Sequence, residues 1–340
     1  MIKNQPTFQI LAEKRASLGE ISYLDYIEYF KKINIVGLKF NNYSEMRQHF
    51  NESGYYYFLL AAASRKKILD PDIRNKIVSS LFEIRAKLES NIIKSFDLIE
   101  DRNDLLRRIF SNSLLGKSKK QGLSIRYPLT SCQPTEVCGG LCYAHDGRDK
   151  HLETILRGCL NFYLGRMYER STLECRDEII GRLGKVLRLG VDFALKEQRT
   201  SHRKDFTRQA RIRFSHVGDM AAHLNFTNRL ANEIGKISKK SVQCVIYTRH
   251  VNAERLSEAF VINFTIDNDN DERLKFTPKR ARLVSSAWEG KVSRLAQINF
   301  IEHHNGNKKI PIGTGNICPI TLDSNTMPSC DEVKCDKCFA

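Results

Sequence analysis

The feature that most constrains this chain is a series of six short β-prone segments separated by longer amphipathic stretches. Leu123–Tyr127 (LSIRY), Arg211–Ser215 (RIRFS), Val242–Tyr247 (VQCVIY), Phe260–Ile266 (FVINFTI), Ala281–Ser285 (ARLVS) and Gln297–Ile301 (QINFI) read as strands. Helical periodicity fits between most of them, notably over 152–169, 173–197 and 221–236. A strand followed by a helix, repeated, implies a parallel sheet covered by helices, either doubly wound or curled into a barrel. Six such strands predict an α/β fold built as a six-stranded partial β/α barrel. In both architectures ligands collect at the carboxyl ends of the strands, so the residues just after each strand matter most.

Residues 1–115 read as an all-helical N-terminal region. Apolar residues recur at three- and four-residue spacing in Ile77, Leu81, Ile84 and Leu88, and again in Ile92, Ile93, Phe96 and Ile99. Pro71, inside Asp70-Pro71-Asp72, suits a helix start. The run Tyr55, Tyr56, Tyr57, Phe58 could stack bases, but beside Leu59 and Leu60 it reads better as core. The polar, basic, glycine-bounded stretch GKSKKQG at 116–122 marks the expected domain boundary. The expected organisation is a helical domain over 1–115, the partial barrel over 116–310 and a cysteine-rich, metal-binding tail over 311–340.

Ten cysteines fall into two groups and three dispersed positions. Cys132, Cys138 and Cys142 lie on the loop after the first strand. Three thiolates leave a metal one open position, as an iron–sulfur cluster with one ligand-accessible iron or a catalytic zinc would require. Cys318, Cys330, Cys335 and Cys338 supply four thiolates, enough to close a structural zinc site or hold a second iron–sulfur cluster. Cys159, Cys175 and Cys244 are expected to pack in the core.

The other strand ends carry polar residues. His216, Gly218 and Asp219 follow the second; Gly218 would permit close approach of a ligand. Asp219 could receive a ligand ammonium group or cap the helical run that starts at Ala221. Tyr247 and Arg249 end the third strand, Asp267 the fourth and Ser285 the fifth, with Ser286 and Trp288 beyond it. Arg249 suits a carboxylate or phosphate clamp. No phosphate-binding GxxxxGK[ST], GxSxG elbow or HExxH zinc motif occurs, which weakens the corresponding enzyme classes.

Lys and Arg number 55 against 39 Asp and Glu, a formal +16, which favours a nucleic acid or a phosphorylated substrate as partner. No run of 18 apolar residues and no N-terminal leader pattern is present, so a cytoplasmic location without membrane insertion is expected.

Cys132-x5-Cys138-x3-Cys142-Tyr143-Ala144, the segment Arg213-Phe214-Ser215-His216-Val217-Gly218-Asp219, Tyr247-Thr248-Arg249 and the cysteine-rich tail together resemble the gene product 88 family of phages and mobile elements, over about residues 115–340. More distantly, a three-cysteine loop after the first strand of a six-stranded partial barrel resembles radical S-adenosylmethionine enzymes. Their cysteine spacing is three residues then two, where this chain has five then three. That resemblance implies a four-iron, four-sulfur (4Fe-4S) cluster on Cys132, Cys138 and Cys142, with S-adenosylmethionine bound near Tyr143, His216, Gly218 and Asp219. Substrate would then meet Tyr247, Arg249, Asp267 and Ser285. The expected activity is that of an iron–sulfur enzyme acting on a nucleic-acid or nucleotide substrate. The rival is a non-enzymatic, zinc-stabilised nucleic-acid-binding protein whose basic segments Arg199–Arg213 and Arg273–Arg282 contact phosphates.

Overall fold

A computed structural model describes residues 38–51, 55, 58, 71–111, 114–118, 122–135, 138, 144, 147–200, 210–287 and 292–301. The chain forms two compact units. One comprises Met1–Asn112, Pro128–Thr130 and Pro134–Tyr163; the other comprises Ser113–Tyr127, Ser131–Gln133 and Leu164–Ala340.

The first unit is helical, with α1 Tyr43–Phe50, α2 Pro71–Phe96 and α3 Arg102–Ser111. Asn42 caps α1 by accepting the Glu45 N–H, and α2 begins at Pro71, where a missing N–H costs nothing. The apolar spacing of α2 becomes a buried stripe of Leu81, Ile84, Leu88, Ile92, Ile93 and Phe96. Tyr55 and Phe58 are buried too, which makes them core rather than a base-stacking surface.

The second unit holds one sheet of seven strands: β1 Leu115–Ser118, β2 Gly122–Ile125, β3 Arg211–Phe214, β4 Gln243–Thr248, β5 Phe260–Ile266, β6 Arg282–Ala287 and β7 Ile298–Ile301. Their order across the sheet is their order in the chain. All six expected strands are present and parallel, from β2 to β7. A doubly wound sheet reverses its order at a switch point; this one does not, so that alternative is overturned.

Two features differ from the expected pattern. A seventh strand, β1, runs into the stretch read as the domain boundary and pairs antiparallel with β2 from Leu115↔Ile125 to Ser118↔Gly122. Backbone pairing at a sheet edge needs little side-chain β-propensity, so composition did not reveal it. Helices also serve fewer crossovers than expected. Helices α4 Leu152–Arg170 and α5 Leu173–Thr200 precede β3, and α6 Leu224–Ile237 links β3 to β4. The β4–β5 and β5–β6 connections carry only the 3-10 turns Val251–Arg255 and Glu272–Phe276.

Register assigns each side chain to a face. Leu115, Leu123, Ile125, Ile212, Phe214, Cys244, Ile246, Ile262 and Phe264 share one face, which α5 and α6 cover. A Cβ on Gly190 of α5 would lie 2.2 Å from Leu115 Cδ1 and 4.0 Å from Leu123 Cδ1, so this helix rests directly on the β1–β2 edge. Phe214 meets Phe260 edge-on at 4.8 Å. The opposite face carries a buried cluster of Val245, Val284 and Ile298, with Tyr247, Val261 and Phe300 packed on it. No described helix is long and apolar enough to cross a membrane.

Candidate functional site

The carboxyl edge of β2, β3 and β4 is built around one carboxylate. After β3 the chain turns sharply, with Ser215 at φ 57° and Gly218 at φ 73°. The left-handed conformation is uncommon for serine and natural for glycine. Ser215 Oγ accepts the Met220 N–H at 2.9 Å and so holds the turn closed. The turn delivers Asp219, which is buried. Its Oδ1 accepts the Ala221 N–H at 3.0 Å and caps the 3-10 turn Met220–His223. Its Oδ2 accepts the Thr248 hydroxyl at 2.7 Å and the Arg249 N–H at 3.2 Å, both at the end of β4. Of the two roles open to Asp219, the cap is the one its geometry displays.

On the other side, the Asp219 N–H donates to Ser131 Oγ at 2.8 Å. Ser131 directly precedes Cys132, so the stem of the cysteine loop is fastened to the loop leaving β3. The His216 N–H donates to Ile125 O at 3.0 Å and the Tyr127 N–H to Val217 O at 2.7 Å, extending the β2–β3 pairing into these loops. Burial pushes the Asp219 carboxyl above its ordinary range, while Thr248, the Ala221 N–H, His250 and the Arg249 N–H pull it back.

Farther along the edge, Arg249 Nη1 pairs with Asp267 Oδ1 at 2.9 Å, with side chains only 11% and 7% exposed. Ser285 gives its hydroxyl to Asn299 Oδ1, which also accepts the Ser293 N–H at 2.9 Å. Tyr247 lies under the Arg213 guanidinium, 4.2 Å from ring centroid to Cζ.

Cys132 and Cys138 are half-buried thiols, and the Cys138 N–H donates to Thr135 Oγ1 at 3.0 Å. Cys142, Tyr143, Cys318, Cys330, Cys335, Cys338 and Trp288 lie outside the described residues. Among the described residues no three His, Cys, Asp or Glu side chains converge as metal ligands. Cys159 and Cys244 are buried, as their apolar neighbours imply. Cys175 is exposed, against expectation, because it falls in the first turn of α5 before that helix reaches its buried stripe.

The first unit contributes a second polar device. Glu89 and Arg85, one turn apart on α2, form a buried ion pair at 2.9 Å. Glu89 accepts the backbone N–H groups of Leu129 and Thr130, and Arg85 donates to the Ala144 carbonyl. Those residues flank the cysteine segment in sequence. Burial raises the Glu89 carboxyl while Arg85 and the two N–H groups oppose it. Nothing in the local sequence distinguishes Arg85 and Glu89 from a solvated helical pair; only the apolar stripe around them hinted at burial.

The reading by strand ends also missed a row of arginines inside the sheet. In β3, Arg211 and Arg213 alternate with Ile212 and Phe214, so they share the face opposite the helices, and both are buried. Arg126, two residues past Ser124, continues that face beyond β2 and is buried as well. The signal was visible as R-I-R-F, since two charges at period two in a strand must share one face. Arg280, in the second basic segment, gives its guanidinium to the carbonyls of Leu256, Ser257 and Phe260 and so works as a loop staple. A groove of about 540 Å³ along α5 and α6, lined in part by Arg188, Asp192 and Lys239, holds none of these groups.

No protein-family model, curated protein or solved structure matches the chain.

Proposed function

We propose that this chain is an iron–sulfur enzyme of the radical S-adenosylmethionine type, with β2–β7 curled as a six-stranded partial barrel. One observation carries the reading: the loop bearing Cys132 leaves the first of six parallel strands set in chain order, and Ser131 ties it to the loop bearing Gly218 and Asp219 after the second strand. The donor set fits, because three thiolates hold an iron–sulfur cluster while leaving one position for a small ligand. Cys132, Cys138 and Cys142 would hold it, and the four C-terminal cysteines would bind a second cluster or zinc. Such a group, when bound, supplies one-electron chemistry that the side chains lack.

The chain's own residues then perform positioning. Gly218, with no Cβ and a left-handed backbone, allows a ligand to approach the β3 turn closely. Asp219 holds that turn against Thr248 and Arg249 so that the two strand ends keep a fixed spacing. The Arg249–Asp267 pair joins the ends of β4 and β5 in the same way. The substrate class favoured by the +16 charge is a nucleotide or another phosphorylated molecule.

Anaerobic purification with iron supplied, followed by iron, sulfide and zinc analysis and an absorption spectrum, tests the proposal. Iron with sulfide, a brown colour and its loss in Cys138→Ala are expected. Zinc alone in a colourless protein would overturn it and leave a zinc-stabilised nucleic-acid-binding protein as the reading to pursue.

A further inference from the structure

We infer that the groove along α5 and α6 docks the phosphate backbone of duplex nucleic acid, held by Lys185, Arg188, Lys239 and Lys240. The groove, of about 540 Å³, runs between Arg188 and Asp192 on α5 and Lys236 and Lys239 at the end of α6. Past Arg188 it continues towards the start of α5 as a hollow of about 400 Å³ over Gly181, Gly184 and Lys185. From Gly181 to Leu195 the lining spans about 21 Å of helix. Helix α6 leaves the carboxyl end of β3 and stops just before β4, so its last turn lies at the amino edge of the sheet. That is the edge opposite Asp219 and Arg249, so occupancy of the groove does not depend on the enzyme proposed above.

Charge gives the occupant its sign. Lys185, Arg188, Lys239 and Lys240 are exposed, and among the described residues none of them pairs with a carboxylate. Other exposed cations of the same two helices do pair, as in Arg182–Glu178, Arg229–Asp177 and Lys236–Glu233. A helix C-terminus attracts cations, which accounts for lysines after α6 but not for Lys185 and Arg188 in the middle of α5. Nor are the lysine side chains needed as caps, because the N–H groups of Ser238, Lys239 and Lys240 already satisfy the carbonyls of Ile234, Lys236 and Gly235. Lys239 and Lys240 have φ 49° and 63°, a left-handed conformation that glycine or asparagine adopts at less cost.

Shape gives the occupant its class. Glycine weakens a helix interior, and a Cβ at Gly181 or Gly184 would meet nothing within 4 Å, so packing calls for neither. Their missing side chains let a phosphodiester backbone lie against α5 beside Lys185 and Arg188. None of the described lining residues is aromatic, so unpaired bases find no stacking platform and a duplex fits better than a single strand. Of the apolar lining, Val191 is buried, Leu195 and Ile237 are half-buried and Leu189 alone is exposed, which is too little to anchor an acidic peptide helix.

The test is titration of a fluorescein-labelled DNA duplex of mixed sequence, about 20 base pairs long, with the full chain, read by anisotropy between about 50 and 200 mM sodium chloride. Saturable binding that weakens with salt is expected. Lys185→Gln with Arg188→Gln, and Lys239→Gln with Lys240→Gln, should each weaken binding severalfold whatever the sequence and reduce the slope of log affinity against log salt by about two. Gly184→Leu keeps every charge; it should raise the Tm and still weaken binding, because it strengthens the helix and fills the hollow. Lys275→Gln with Lys279→Gln, in the basic segment between β5 and β6, should change neither affinity nor slope. The inference is overturned by absence of saturable binding to folded wild-type protein, by groove variants with unchanged slope, by unchanged binding in Gly184→Leu, or by a slope that falls at Lys275 and Lys279 instead. Tighter binding of a single strand of the same length would overturn the duplex assignment, and equal affinity for polyglutamate of matched charge would reassign the groove to an acidic protein. Duplex binding by a protein that carries zinc alone would count against the enzyme proposal alone, and a cluster-loaded protein that ignores the duplex would count against this site alone.

Discussion

Asp219 shows how much one side chain can determine locally. Its two oxygens accept three hydrogen bonds, from Ala221, Thr248 and Arg249, in a buried setting. Asp219→Asn preserves the shape and replaces one acceptor with a donor. If the amide nitrogen faces β4 it opposes the Arg249 N–H; if it faces the 3-10 turn it opposes the Ala221 N–H. Either way a buried donor loses its acceptor, which costs about 1–3 kcal/mol. Urea unfolding should show that loss, and an unchanged midpoint would mean that the latch is dispensable. A second residue makes stability depend on pH. His223 stands against Tyr127, with Nδ1 and the hydroxyl 3.3 Å apart. Burial, reinforced by Arg166 and Arg170 and opposed by Glu169, lowers its pKa from 6.5 to about 4. The unfolded chain therefore binds a proton that the folded chain refuses between those values. This contribution is complete above pH 6.5 and is lost as pH falls from 6.5 towards 4, by about 2–3 kcal/mol. His223→Gln should flatten the stability profile over that interval, and a profile as steep as wild type would assign the dependence to other groups.

At the scale of an element, α2 is both a packing helix and a holder of backbone. Its apolar stripe would bury the helix whatever occupied positions 85 and 89, yet those positions carry a charge pair at nearly zero exposure. The pair is matched to backbone groups at Leu129, Thr130 and Ala144, which lie on either side of the three-cysteine segment in sequence. Glu89→Gln would leave the Arg85 guanidinium buried without its countercharge, and about 3–5 kcal/mol of destabilisation is expected. Replacing both, as Arg85→Met with Glu89→Leu, removes the uncompensated charge and should recover part of that stability. Hydrogen exchange separates holding from mere packing. In the double variant the amides of Leu129 and Thr130 should exchange faster than those of α3, because their acceptor is gone. Equal protection at both places would reduce the pair to a packing feature.

For the whole molecule, the sequence revealed the strand order better than the surfaces. Phe260–Ile266 and Gln243–Thr248 were legible because β-branched and aromatic runs bounded by polar turns have few other uses. Leu115–Ser118 was not, because an edge strand of glycine, lysine and serine is made by pairing that only the folded backbone reveals. Asp219 and Arg249 were found by position at strand ends, whereas Arg211 and Arg213 were passed over as part of a basic segment although their alternation fixed a common face. Net charge acts at this scale as well. At +16 the folded chain repels itself more than the expanded one, since compaction brings like charges together. Salt screens that repulsion over distances beyond the Debye length, which falls from about 30 Å at 0.01 M to about 8 Å at 0.15 M. Exposed pairs such as Arg229–Asp177 and Lys236–Glu233 lose little on screening because each is worth little to begin with. Buried Arg249–Asp267 and Arg85–Glu89 are screened least. The Tm in sodium chloride should therefore rise between those two ionic strengths. A fall over the same interval would mean that favourable ion pairs outweigh the net charge, and that the positive excess is balanced locally rather than spread across the molecule.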